Sequence, residues 1–386
     1  MDERGEYLGT TNPINCREPA QDGLERFSTE RHRFLLVCQS YPPVIGGSEL
    51  EAQRICEALI HRGHDVTVVC AGGEPMPDVK DWVDPKNVPV RIYARHSEGA
   101  IKNLVFAFCV ASMLFAERQK YQFVYFLMPG LHVALGLCAA QLIGKPTLMK
   151  ISGSGEVNRM GRSLIGRFEL WMLRRWASRV MILNEGMRGE ALSAGLANDQ
   201  LLWMPNPVDT EEFSPATAEE KERLRSRLGV PEESKIVLYC GRLAVEKALP
   251  SLLQGFATAL TEVSDALLVL VGDGSMRDSL EKQAVGLGLE NRNIRFAGRV
   301  DPGEVSAWLK IADVFTLVSS LEGFPCSLIE AMSSGLPSIA SNIEANQQLV
   351  ADGKEGFLVP VGDCSAIARR IVALLNDAVL RTKMGR

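Results

Sequence analysis

Two pairs of charged residues carry the first chemical signal. Arg242 and Lys247 stand five positions apart in Cys240-Gly241-Arg242-Leu243-Ala244-Val245-Glu246-Lys247, at the end of the strand-like run KIVLYC. Cations at that spacing on one loop can converge on a diphosphate and neutralise a leaving group without a metal. Two solvated loop cations are the plain alternative, because exposed cations are common. Glu322 and Glu330 follow the apolar run VFTLVSS with seven residues between them, in Glu322-Gly323-Phe324-Pro325-Cys326-Ser327-Leu328-Ile329-Glu330. A helix starting near Pro325 sets Glu322 at its entrance and Glu330 over a turn inside, so that both can address one ligand, one at each end. Carboxylates suit sugar hydroxyls because each accepts hydrogen bonds in a fixed plane. A capping acid plus an exposed helical glutamate is the plain alternative, acids being favoured in first turns.

A third signal is Gly46-Gly47 in the turn Tyr41 to Glu49, ahead of a helix beginning near Ser48. Paired glycines there let backbone amides approach an anion at the helix N-terminus, although a tight turn needs glycine as well. Neither GxGxxG nor GxxxxGK[ST] occurs, which argues against a nicotinamide or P-loop site. The turn Gly272-Asp273-Gly274-Ser275 lines the same region and is given no chemistry. His132, between apolar residues at a helix start, reads as a packed histidine. His61 and His64 flank Gly63 at a helix end, where a cation is favourable. The stretch Arg159 to Arg179 mixes six arginines with Leu164, Ile165, Phe168, Trp171, Met172 and Trp176. It suits an anionic membrane surface, but packing of its apolar stripe into the core is the preferred reading.

The elements that hold these residues alternate in type. Strand-like runs RFLLVCQ, DVTVVCA, VRIYAR, FVYFLM and TLMKIS are separated by helical segments, and a second series, KIVLYCG, ALLVLVG, IRFAG, VFTLVS and PSIAS, follows Pro231. Such alternation predicts parallel sheets covered by helices on both faces, hence two doubly wound α/β domains. In such sheets ligands bind outside the carboxyl ends of the strands, where all four turns fall. The length of 386 residues also exceeds a single core. The expected boundaries are a disordered polar extension over 1–30, a first domain over 31–205 and a second over 206–386. The linker lies near 204–215, where Pro205 and Pro207 block regular structure.

Composition limits the partners. With 46% hydrophobic and 23% charged residues the chain is globular, and a net charge of −5 argues against a dedicated nucleic-acid binder. Residues 31–205 carry 20 basic and 15 acidic side chains and are the only basic region. Cys38, Cys56, Cys70, Cys109, Cys138 and Cys240 lie in apolar runs without metal-ligand spacing and read as buried, reduced thiols. The N-terminus has neither the basic nor the apolar region of a signal peptide, so a cytoplasmic location is expected. The apolar stretch Phe123 to Gly144 is interrupted by Pro129 and Gly130 and reads as a buried strand followed by a buried helix. The run Leu104 to Phe115 is too short to span a membrane.

Taken in order, GGSE, GRLAVEK, VGDGSMRDSL, IRFAGRV and EGFPCSLIEAMSSGLP resemble the retaining glycosyltransferases of family 4, which have the two-domain GT-B fold. The resemblance covers about residues 33–385. It implies a nucleotide-sugar donor, UDP- or GDP-linked, lying in the interdomain cleft, with Arg242 and Lys247 on the diphosphate beside Gly241. It places Glu330 on the ribose, Glu322 with the Gly323 and Phe324 amides on the sugar, and Gly46 and Gly47 closing from the first domain. No cofactor or metal is implied, and the leaving phosphate serves as base. The acceptor is an unidentified glycan or lipid-linked hydroxyl, with peripheral contact at the inner face of a membrane as a further expectation. Three positions depart from the family. Ser152 stands where many members have His, leaving Ser152 or Glu156 to contact the donor sugar or acceptor. Lys247-Ala248 replaces Lys-Gly, and Gln348 replaces an acid. Family chains also continue past KMGR into a helix returning to the first domain, so an open cleft hinged only at 204–215 is expected. A sugar-nucleotide epimerase and a non-catalytic nucleotide-sugar-binding protein are the alternatives.

Overall fold

The computed structural model of the chain describes residues 30–44, 47–72, 76–77, 79–94, 99–289 and 292–386. The expected N-terminal extension, as far as residue 29, and Gly46 lie outside the described residues. The first domain runs β1 (Arg33–Cys38), α1 (Gly47–His61), β2 (Asp65–Cys70), β3 (Asp81–Val83), β4 (Pro89–Ile92), α2 (Gly99–Ala116), β5 (Phe123–Phe126) and α3 (Leu131–Leu142). It continues with β6 (Thr147–Lys150), α4 (Glu156–Met160), α5 (Leu164–Trp176), β7 (Arg179–Ile182), α6 (Glu185–Ser193) and β8 (Leu201–Trp203). The second domain comprises α7 (Ala218–Leu228), β9 (Lys235–Cys240), α8 (Leu249–Ala259), β10 (Ala266–Val271), α9 (Arg277–Gly286), β11 (Ile294–Gly298) and α10 (Val305–Ile311). After these come β12 (Val314–Leu317), α11 (Cys326–Ser333), β13 (Ser338–Ser341), α12 (Glu344–Gln347), β14 (Gly356–Val359), α13 (Cys364–Asn376) and α14 (Ala378–Gly385).

The first sheet has the order β3-β4-β2-β1-β5-β6-β7-β8 and the second β11-β10-β9-β12-β13-β14. Every pairing is parallel except β3 with β4. Central strands such as β10 (ALLVLV) are apolar at every position because helices cover both faces. In β1, Leu35 and Val37 enter one core cluster and Leu36 and Cys38 the other, which is the two-residue alternation of a strand buried on both sides. Several helices start where an oxygen side chain satisfies an orphan amide: Ser163 accepts from Gly166 N–H, Thr217 from Glu220 N–H and Asp363 from Ala366 N–H. Phe213, late in the linker, is buried in the second core, as is Met384 of α14.

Three expectations need correction. Of the apolar residues on Arg159 to Arg179, Met172 is buried and Trp176 half-buried, but Leu164, Ile165, Phe168 and Trp171 face outward, because only the stripe bearing Gly166, Glu169, Leu170, Met172 and Leu173 packs inward against α3 and α4. Cys109 and Cys138 are only half-buried, Cys138 packing against the edge of the first-domain core. The helix around Leu104 to Phe115 runs from Gly99 to Ala116 and is the one helix among the described residues long and apolar enough to cross a membrane.

Candidate functional site

In each sheet the strand order reverses at one point, between β1 and β5 in the first and between β9 and β12 in the second. Adjacent crossovers leave in opposite directions there, opening a crevice at the carboxyl ends of the strands. The loop after β9 carries Gly241, Arg242 and Lys247, and the loop after β12 carries Glu322, Gly323 and Phe324, so both charged pairs flank the second switch point. Lys247 Nζ lies 2.7 Å from Glu322 Oε1, and the two side chains are 17% and 10% exposed. The loops are also joined through the backbone, Ser320 N–H donating to the Glu246 carbonyl at 2.8 Å. Arg242 is exposed by comparison, with 74% of its side chain accessible and Glu246 at 3.7 Å. An exposed pair at that distance is weak, about 0–1 kcal/mol, so the guanidinium is available to an anion.

The turn Gly272 to Ser275 seats the Arg242 loop. Gly272 has φ 129°, and a Cβ there would stand 2.0 Å from the Gly241 carbonyl oxygen. Leu243 N–H donates to the Asp273 carbonyl at 3.0 Å, completing the seat. The glycines thus position the cationic loop and carry no chemistry of their own.

Glu330 sits on α11 and is 8% exposed. Burial pushes its carboxyl pKa upward, and Arg54 partly opposes this, its Nη1 being 3.2 Å from Glu330 Oε1. Arg54 belongs to α1 of the first domain, seven residues after Gly47, so this ion pair crosses the cleft. Asn184 Nδ2 donates to the Gly323 carbonyl at 2.7 Å, and Phe324 packs against the core of the first domain. A Cβ on Gly323 would lie 2.4 Å from the Ser152 carbonyl oxygen and 2.8 Å from Gly153 Cα. The open cleft expected from the sequence is therefore not what the structure shows: the floor is closed, and the Glu322 loop rests on the Ser152 turn.

Ser152 and Glu156 are brought together and turned inward. Glu156 Oε2 accepts from Ser152 N–H at 2.8 Å, and the Ser152 hydroxyl donates to the Leu127 carbonyl at 3.1 Å. Burial raises the Glu156 pKa against the opposing Ser152 N–H and Arg159. Both residues shape the turn beneath Gly323. Gly47 opens α1 at the first-domain edge of the cleft.

Several site residues escaped sequence reasoning. Lys150, at the end of β6, is 1% exposed and ion-paired with Glu51 of α1. Its ammonium also donates to Asn206 Oδ1 at 2.6 Å, and Asn206 Nδ2 lies 3.1 Å from Cys326 Sγ at the start of α11. A single cation inside the apolar run TLMKIS was the available signal, since a buried lysine needs an acid partner. Arg54 and Asn184 gave none, because their partners are distant in the chain.

Comparison with known proteins identifies the family and the fold. The family model for glycosyl transferases group 1 matches residues 220–386, and that for the glycosyl transferase 4-like domain matches residues 46–207. Each falls on one of the two domains. The chain belongs to the family 4 glycosyltransferases. It is 26% identical to the UDP-Gal:alpha-D-GlcNAc-diphosphoundecaprenol alpha-1,3-galactosyltransferase of Escherichia coli, covering 88% of this chain and 87% of that protein. It is likewise 26% identical to the N-acetyl-alpha-D-glucosaminyl L-malate synthase of Bacillus anthracis, over 89% and 88%. The fold matches that of Anabaena HepE in complex with UDP-glucose, with a TM-score of 0.76, 21% identity and coverage of 92% and 93%. The glycosyltransferase has the GT-B architecture that the paired sheets describe.

Proposed function

We propose that this glycosyltransferase moves a hexosyl unit from a UDP- or GDP-sugar to a hydroxyl acceptor with retention of anomeric configuration and without a metal or cofactor. The observation that carries this reading is the convergence of Lys247 with Glu322 at 2.7 Å, beside Arg242, at the switch point of the second sheet. A cation and a carboxylate fixed side by side suit a ligand that is anionic at one end and rich in hydroxyls at the other, as a sugar diphosphate is. Arg242 and Lys247 bind the diphosphate and stabilise the charge that grows on it as the anomeric C–O bond breaks. Glu322, with the Gly323 and Phe324 amides, holds the sugar, and Glu330 accepts from the ribose hydroxyls. The acceptor oxygen attacks on the face that the phosphate leaves and gives its proton to the departing phosphate oxygen, so no protein nucleophile is required. Gly47, at the start of α1, faces the diphosphate from the first domain. The Ser152–Glu156 turn supports the sugar-binding loop from below.

The acceptor is a glycan or lipid-linked saccharide of surface polysaccharide or glycolipid synthesis, used at the cytoplasmic face of a membrane. The diphosphoundecaprenol-linked acceptor in the name of the Escherichia coli relative supports this class. A thermal-shift screen of UDP-, GDP- and ADP-sugars tests the donor. A ligand at one hundred times its Kd adds about 2.7 kcal/mol of stability, so a real donor stands out. No shift with any of them would defeat the donor assignment.

A further inference from the structure

α3 packs between α2 and α5 on one face of the first sheet, and all three contribute to the same core cluster. α2 follows β4 and α3 follows β5 at the carboxyl edge of the sheet, where the cleft opens, and α5 follows β6 by way of the short α4. α2 has mean hydropathy 1.8, yet only 28% of it is buried. Phe106, Val110, Met113 and Leu114 form its inner stripe, which rules out a span, while Ile101, Leu104 and Phe108 on the opposite side are exposed. α5 repeats the arrangement, with Leu164, Ile165, Phe168 and Trp171 exposed and the Phe168 and Trp171 rings stacked at 6.1 Å. The two helices flanking α3 are thus apolar on both sides.

The exposed charge on these three helices has one sign. The three helices together contain a single acid, Glu169, and it is 3% exposed. Arg167, Arg174 and Arg175 on α5 are exposed, as are Arg159 and Arg162 just before it. An apolar surface bordered along α5 by five exposed arginines matches an interface of acyl chains beneath anionic headgroups. A second copy of the chain fits poorly, since a symmetric contact would gather the α5 arginines of both subunits while the three helices themselves offer no exposed acid to pair them.

We propose that the α2–α3–α5 face docks on an anionic lipid bilayer, with the exposed stripes of α2 and α5 in the interface and the cleft mouth held beside it. The docking stands on these side chains alone; that it serves a membrane-borne acceptor rests on the acceptor class proposed above.

The test uses the full chain with vesicles of phosphatidylcholine, alone or mixed with phosphatidylglycerol, read by sedimentation and tryptophan emission at low and high salt. L104E/F108E and I165E/F168E change only exposed positions, and circular dichroism checks their folding. The wild type should partition onto phosphatidylglycerol vesicles at least about tenfold more than onto phosphatidylcholine, with a blue shift that salt weakens. Each double variant should lose about tenfold or more, the worth of one large apolar side chain withdrawn from lipid, and should keep its rate on a water-soluble acceptor. Equal binding to both vesicle types, variants that bind like wild type, or a wild-type dimer that the variants dissolve would overturn the proposal. If docking behaves as described but moving the same acceptor from detergent into the bilayer gives no advantage over the variants, the acceptor reading fails while the docking stands.

Discussion

Glu169 offers a test whose size follows from the structure. Its carboxyl is 3% exposed on α5, and its Oε1 accepts from Gly130 N–H at 2.6 Å. Burial outweighs that hydrogen bond and raises the pKa to about 7 from an ordinary 4.5. An acid with a raised folded-state pKa contributes stability that is complete below its unfolded pKa and is lost as pH rises through the folded value. At 1.36 kcal/mol per unit, the loss between pH 4.5 and 7 approaches about 3 kcal/mol. His132, at the start of α3, runs the other way. Burial lowers its pKa to about 4 from 6.5, so its contribution is present above 6.5 and lost as pH falls through 4. The two slopes oppose each other between pH 4.5 and 6.5 and mask one another in the wild type. Glu169→Gln keeps the acceptor oxygen and removes the titration. Urea unfolding across pH 4 to 8 should show the variant gaining on the wild type by about 1.4 kcal/mol per unit between 4.5 and 7, then levelling off. A difference that does not change with pH would refute the argument.

Other outcomes follow from the site. Glu330→Ala should weaken nucleotide-sugar binding by about 1.5 to 3 kcal/mol in calorimetry, the worth of a hydrogen bond to a charged group, while Arg54, 44% exposed, turns to water and leaves the fold intact. Unchanged affinity would remove Glu330 from the donor site. Arg242→Ala and Lys247→Ala should each lower kcat by about a hundredfold or more, because they act on charge that develops on the leaving diphosphate; a change confined to KM would limit them to ground-state binding. Gly323→Ala forces the Glu322 loop off the Ser152 turn and should cost on the order of 10 to 100-fold in kcat/KM through misplacement of the sugar-binding residues. Unaltered kinetics would show that the closed floor is not needed for turnover.

Much of the fold was legible because it rests on local patterns. Continuous apolar runs such as ALLVLV separated by helical segments announce buried parallel strands, and the charged turns at their carboxyl ends mark the crevice. What stayed hidden depends on pairings between distant segments. Arg54 meets Glu330 across 276 positions of sequence and Asn206 meets Cys326 across 120, and no periodicity encodes either. The closed floor was missed for the same reason, since it arises where Gly323 fits against Ser152. On α5 the apolar residues were visible, but a stripe in sequence does not say whether a neighbour covers it. Leu164, Phe168 and Trp171 lie at i, i+4 and i+7, as regular as any core stripe, and yet face outward.

The central claim is front-face transfer at a site built from two cations and two carboxylates, and the stereochemistry of the product tests it most directly. The enzyme is supplied with the UDP- or GDP-sugar that stabilises it, a hydroxyl acceptor and EDTA, and the anomeric configuration of the first-formed product is read by proton NMR. The account predicts an α-linked product from an α-linked donor, formed at full rate in the chelator. An inverted product, or one that appears only when Mg²⁺ or Mn²⁺ is restored, would contradict it.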